Sequence, residues 1–136
     1  EGSKPFLCNR FPAQVFFHGY QERESLESFY SKCDFFVAPS RYESFGIIYL
    51  EAMKYSKPVV ACNTGGTPEV VLDGVTGILV QPNDHKILAD AILHLSTNDS
   101  LRKRMGMEAR KRVKRLFSMD KLIEDTLFSY HSAMKY

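Results

Sequence analysis

Apolar positions along the chain fall either in short unbroken runs or at helical spacing. Val15-Phe16-Phe17 is an apolar run closed by His18-Gly19, which predicts a short buried strand over 15–17 and then a turn. Leu26, Phe29, Tyr30 and Cys33 stand at i, i+3, i+4 and i+7, one face of an amphipathic helix. Phe35-Phe36-Val37-Ala38 reads as a second strand, stopped by Pro39. A polar loop over 40–46 leads into 47–55, which lacks Gly and Pro and predicts a helix. Pro58 precedes a third strand, Val59-Val60-Ala61, and Thr64-Gly65-Gly66 breaks the chain before a short helix over 68–72. Proline suits the first turn of such a helix. A fourth strand follows over 77–80. Asp84 is placed to cap a helix whose Ile87, Leu88, Ala91, Ile92 and Leu95 make one apolar face. Two more helices are expected, over 100–115 and from 119 to 130 or beyond. The opening segment 1–13 holds Pro5 and Pro12, shows no period and reads as irregular.

Short, wholly apolar strands alternating with helices imply a parallel sheet covered on both faces. The expected fold is a doubly wound, Rossmann-like α/β domain. Ligands in such sheets bind at the carboxyl ends of the strands. The loops 18–22, 39–46 and 62–68 are expected to open on that edge.

The chain has 136 residues, enough for one domain, and its 44% apolar and 25% charged residues are those of a globular protein. No apolar run approaches the roughly 18 residues a membrane span requires, and the opening residues carry no signal-peptide pattern. Cys8, Cys33 and Cys62 give an odd count without a C-x-x-C pair. That argues against a disulfide framework or zinc site and fits a reducing cytoplasm. The 12% aromatic content reads as core, not as a base-stacking platform. Net charge is +2, yet eight of the 18 basic residues lie between Arg102 and Arg115 with Glu108 the only acid among them. That segment carries +7 and the remainder −5. A basic helix of this kind can touch an anionic membrane, peripherally at an inner membrane; a solvated face is the plainer reading. Nucleic acid is not an expected partner.

The chemistry concentrates in the central loop. Glu43 sits just before Phe45-Gly46 at a helix start, where free N–H groups and the helix dipole favour anions. Glu51 lies in the helix among Leu50, Ala52 and Met53. Eight residues of helix turn through about 800°, so the groups near Gly46 and Glu51 need not be far from one face. A nucleotide sugar presents a diphosphate, a ribose diol and several sugar hydroxyls. Gly46 would allow the backbone to approach a phosphate, and a carboxylate is the natural acceptor for two adjacent hydroxyls. One carboxylate for the ribose and one for the sugar is a sensible pairing.

The ordered series Pro39-Ser40-x-x-Glu43-Ser44-Phe45-Gly46-x4-Glu51-Ala52-Met53, Pro58-Val59-Val60-Ala61, Gly65-Gly66-x-x-Glu69 and Gly74-x-x-Gly77 resembles the donor half of glycosyltransferase family 4. The likeness runs from about Val15 to Phe117, and Phe117-Ser118 with the segment after it resembles the family's closing helices. It implies the C-terminal half of a two-lobed GT-B enzyme that retains anomeric configuration and needs neither metal nor cofactor. The implied donor is a nucleoside diphosphate sugar, UDP- or GDP-linked, whose hexosyl unit passes to a hydroxyl of a glycan, lipid or small molecule. By the same resemblance Glu43 is the first acid of an E-x7-E motif, against the donor sugar and the reacting centre. Glu51 is the second, on the ribose hydroxyls. Phe45, Gly46 and Ile47 are implied to offer N–H groups to the sugar and diphosphate. Gly19 and Tyr20 border the base, Ser40 and Arg41 adjoin it, and Gly65, Gly66 and Glu69 shape the cleft.

Ser44 and Ser56 depart from the pattern, each standing where a glycine is usual. The resemblance also implies that the first strand of this lobe and the acceptor lobe precede residue 1, so that the chain is a truncated domain that transfers nothing alone. Two other readings remain: a fragment of a sugar-nucleotide epimerase, and a degenerate domain used for protein or membrane contact. His18 at a strand end reads as structural. His85, His94 and His131 have no ligand spacing.

Overall fold

The computed structural model describes residues 15–134, so the irregular opening expected over 1–13 lies outside the described residues. Helix α1 (Arg23–Lys32) leads to strand β1 (Phe36–Ala38), then α2 (Ile47–Lys54), β2 (Val59–Cys62) and a one-turn α3 (Thr67–Val70). Strand β3 (Gly77–Val80) is followed by α4 (His85–Ser96), α5 (Asp99–Leu116) and α6 (Met119–Ala133). The three strands are parallel and lie in the order β1-β2-β3, with Val37 opposite Val60 and Val60 opposite Ile78.

Side-chain alternation along the strands sorts them onto two faces. Phe36, Ala38, Val59, Ala61 and Leu79 join a core with Tyr30, Tyr49, Met53 and Ala109. Val37, Val60, Cys62, Ile78 and Val80 join the opposite core with Ala91, Leu95, Leu101 and Met105. Both faces are covered, as expected of a parallel α/β sheet. Helix α5 spans the two: Leu101 and Met105 serve one core, Ala109 and Val113 the other. Its Gly106 lets the helix lie against the chain at Ser56, whose carbonyl oxygen would be 2.0 Å from an added Cβ.

The basic segment is partly structural. Arg102 donates to the carbonyls of Leu95 and Ser96 at the end of α4, at 2.6 and 2.8 Å. Arg112 does the same for Val70 and Glu69 at the end of α3, at 2.9 and 2.6 Å. Helix ends leave carbonyls without intrahelical partners, and two arginines satisfy them here. Asp84 accepts from the N–H groups of Lys86 and Ile87, the cap its position predicts.

Helix α2 ends in a Schellman turn: Lys57 N–H reaches Ala52 O at 3.3 Å and Ser56 N–H reaches Met53 O at 3.0 Å. Ser56 sits there at φ 59, the left-handed conformation that favours the glycine usual at this position.

Three expectations are corrected. Residues 15–17 form no strand, and Phe16 is 71% exposed. A strand exists through its ladder, and among the described residues β1 pairs with β2 alone. Not all aromatic residues are core: Phe16, Phe17, Tyr20, Phe29, Tyr42, Phe45, Phe128 and Tyr130 are exposed. Many of these lie in loops or on α6, and none of the described α6 side chains is buried. The short helix stops at Val70, before the expected 72, because the Leu72 N–H turns to the Thr76 hydroxyl at 2.8 Å.

Candidate functional site

Strands β1 and β2 end side by side, so the loops 39–46 and 63–66 leave the same edge of the sheet. The two loops are joined by backbone. Gly66 N–H donates to Glu43 O at 2.9 Å, and the Thr64 hydroxyl donates to Arg41 O at 3.2 Å. A Cβ on Gly65 would lie 2.0 Å from the Glu43 carbonyl oxygen, and one on Gly66 would lie 2.3 Å from that of Ser44. Gly65 also has φ 53. The peptide that carries Glu43 therefore rests on two glycines that could not be anything larger.

Beneath the loop lies Tyr49, fully buried, donating its hydroxyl to Ala38 O at 3.2 Å. Its ring occupies the space beside Gly46, 2.3 Å from where a Cβ would stand, and Gly46 has φ 96. The glycine is required here by the chain's own packing, before any ligand is considered. Burial pushes the Tyr49 phenol up, opposed by the flanking hydroxyls of Thr67 and Ser40 and reinforced by the charge of Glu43.

Glu51 is placed differently. Helix α2 begins at Ile47, so residues 43–46 are loop, as expected, and Glu43 lies outside the helix that carries Glu51. What helix geometry does align is Ile47 with Glu51, at i and i+4. Glu51 Oε2 accepts a hydrogen bond of 3.0 Å from the hydroxyl of Tyr30 on α1. Tyr30 is 8% exposed, its ring edge-on to Phe36 at 5.5 Å and stacked with Tyr55 at 6.4 Å. Burial, then the bond to Glu51, pushes its phenol up to about 12. Arg23, Glu27, Tyr30, Glu51, Lys54 and Tyr55 line a small open pocket between α1 and α2.

The remaining expected residues are scattered around these two centres. Phe45 packs edge-on to Phe117 at 5.9 Å and stays partly exposed, while Ile47 is 65% exposed at the head of α2. Ser40 is half-buried. Arg41 borders a second pocket with Cys62, Asn83, Asp84 and His85. Gly19 has φ 68 with open space around it, and Tyr20 is 86% exposed. The described geometry thus joins Glu43, Gly46, Gly65 and Gly66, sets Glu51 against α1, and leaves Gly19 and Tyr20 facing solvent. His18 packs edge-on against Phe29 at 4.6 Å. Glu69 contributes a carbonyl to Arg112. Tyr30 and Tyr49 escaped notice in the sequence because each also satisfies the apolar helical period; only a phenol at a core position hinted at more.

A model of the family described as glycosyl transferases group 1 matches residues 10–112. The chain belongs to this family. An uncharacterised glycosyltransferase of Methanocaldococcus jannaschii is 41% identical over 105 residues, which is 77% of this chain and 30% of that protein. Sucrose-phosphate synthase from Thermosynechococcus elongatus superposes with a TM-score of 0.83 at 31% identity, covering 98% of this chain and 34% of that one. HepE of Anabaena, in a crystal structure with UDP-glucose, superposes with a TM-score of 0.77 at 27% identity over 94% of this chain and 36% of that one. The fold is the Rossmann-like C-terminal half of a GT-B glycosyltransferase. The chain spans about a third or less of the length of the curated relatives it matches.

Proposed function

We propose that this glycosyl transferases group 1 domain binds a nucleoside diphosphate sugar, UDP- or GDP-linked, for a retaining, metal-independent enzyme that moves a hexosyl unit to an acceptor hydroxyl. The observation that carries the reading is the loop locked onto Gly65-Gly66, which presents Glu43 and the open start of α2 at the carboxyl edge of the sheet. The first N–H groups of α2 suit a diphosphate or sugar hydroxyls. Glu51, one turn along the helix, suits the ribose diol. Phe45, Ile47, Ser40 and Arg41 would complete the donor cleft, with Gly19 and Tyr20 at the base.

In this reading the acceptor hydroxyl attacks the anomeric carbon on the face that the nucleotide leaves. Glu43 orients the sugar and stabilises positive charge developing there, without forming a covalent bond to it. The acceptor, a glycan, lipid or small molecule, is held by another lobe of the enzyme. Family membership favours transfer over epimerisation.

Calorimetry with UDP and GDP tests the donor site. Hydrogen bonds to a charged group contribute about 1.5–3 kcal/mol each, so Glu51→Ala should weaken binding of the preferred nucleotide at least tenfold. Binding of neither nucleotide by the unaltered chain would favour an interaction module instead. Proton NMR of the product of the complete enzyme should show the donor's anomeric configuration retained.

A peripheral membrane contact, on the cytoplasmic side, is also part of this proposal. Lys103, Arg104, Arg110, Lys111, Lys114 and Arg115 of α5 are exposed. Such a face is attracted to anionic lipid. No helix among the described residues is long and apolar enough to cross a membrane. Co-sedimentation with anionic but not neutral vesicles is the expected result.

A further inference from the structure

We infer that Tyr30 is a positioning residue for ribose recognition: its hydroxyl pins Glu51 Oε2 and so holds the carboxylate ready for the ribose diol of the donor. The inference rests on the reading of Glu51 as the ribose anchor and adds a residue that acts through it.

A Glu side chain has three rotatable bonds, and holding it in one arrangement when a ligand arrives costs binding free energy. A site that fixes the side chain beforehand avoids that cost. Here the fixing group is itself immobile. Tyr30 is held by Phe36 and Tyr55 across its ring and is nearly buried, so its hydroxyl cannot wander. The bond it gives is 3.0 Å and spans 21 residues of sequence, tying α1 to α2. Oε1 of Glu51 accepts no hydrogen bond among the described residues, and Glu51 lines the adjoining pocket. One oxygen is held by Tyr30, and Glu51 itself borders open space between α1 and α2.

The protonation state suits the task. With a pKa near 12 the phenol keeps its proton at any physiological pH, so it remains a donor to the carboxylate throughout. A neutral donor also leaves the carboxylate charge for the ligand, whereas a lysine or arginine at this place would pair with it.

The test compares a ribonucleotide with its dideoxy analogue. Calorimetry on the 136-residue chain would use UDP against 2′,3′-dideoxy-UDP, and GDP against the corresponding guanosine pair. The unaltered chain should prefer the ribonucleotide. Tyr30→Phe keeps the ring contacts and removes the hydroxyl. It should weaken ribonucleotide binding about five- to tenfold and leave dideoxynucleotide binding unchanged, so that the preference shrinks by that factor. Equal weakening of both ligands would show that the phenol serves only the fold and would overturn the inference. Unchanged preference in Tyr30→Phe, with preference lost in Glu51→Ala, would overturn the inference and leave the ribose anchor standing. No ribose preference in the unaltered chain would overturn both. A readout without substitution is the Tyr30 ¹³Cζ resonance, which should move on adding UDP and stay in place with the dideoxy analogue. No movement with UDP would count against the role.

Discussion

Glu43 and Glu51 stand eight residues apart, yet the molecule places them by opposite means. Around Glu43 the main constraints are backbone on backbone, Gly66 N–H on the Glu43 carbonyl and two glycine Cα atoms under the peptide, with the buried ring of Tyr49 beside Gly46. Around Glu51 they are a helix and one side-chain hydrogen bond, from Tyr30. Backbone contacts of the first kind have no freedom to adjust, because the atoms that would clash are not at the end of a flexible chain. A side-chain contact can be lost while the fold survives. The first carboxylate should therefore be sensitive to its neighbours' size, the second to its neighbours' chemistry.

The strongest way to break this contrast is at Gly65. Gly65→Ala meets both a left-handed φ and the Glu43 carbonyl, and should cost about 2–5 kcal/mol in urea unfolding. Asparagine tolerates the left-handed region, so Gly65→Asn isolates the clash and should still destabilise clearly. Gly19→Asn, at a similar φ but with open space around it, should change stability by no more than about 0.5 kcal/mol. If Gly65→Asn were as mild as Gly19→Asn, the backbone account of the Glu43 loop would fail.

A smaller effect is expected on the other side. Tyr30→Phe removes one hydrogen bond and should cost about 1 kcal/mol near neutral pH. It should also change the alkaline limb. In the folded chain the Tyr30 pKa is about 12, against 10.0 in the unfolded reference. Between those values the unfolded chain releases a proton that the folded chain keeps, so stability falls as pH rises through that window. Tyr30→Phe should show a shallower fall there than the unaltered chain, and parallel limbs would contradict the buried phenol.

Firming the helix that carries Glu51 should work in the opposite direction. Ser56→Gly relieves the left-handed residue at the end of α2 at some entropic cost, and should stabilise by up to about 1 kcal/mol in thermal unfolding. Nucleotide binding should be unaffected. The smallest effect belongs to a site outside both regions. Lys111→Ala breaks an exposed 2.7 Å pair with Glu108 and should alter stability by about 0.5 kcal/mol or less. A larger change would mean that the basic face of α5 does structural work beyond Arg102 and Arg112.

Much of this is legible in the amino-acid sequence. Three strands were readable as apolar runs and the helices as periodic faces, since both signals depend on local burial alone. The run at 15–17 misled because an apolar triplet says nothing about whether a neighbouring strand is there to pair with. The exposed aromatics misled for a related reason, as composition does not record which face a side chain takes.

By itself the sequence determined the order of elements from α1 onward and the family, and it nominated candidate residues, because these depend on residue type and spacing. Only the tertiary structure decided why those residues must be what they are. Gly65 and Gly66 matter through Glu43 and Ser44, about twenty residues away, and Gly46 through the ring of Tyr49. Tyr30 matters through Glu51 on another helix. Such pairings arise when the sheet brings two loops to one edge and two helices to one face, and no local pattern in the chain encodes them.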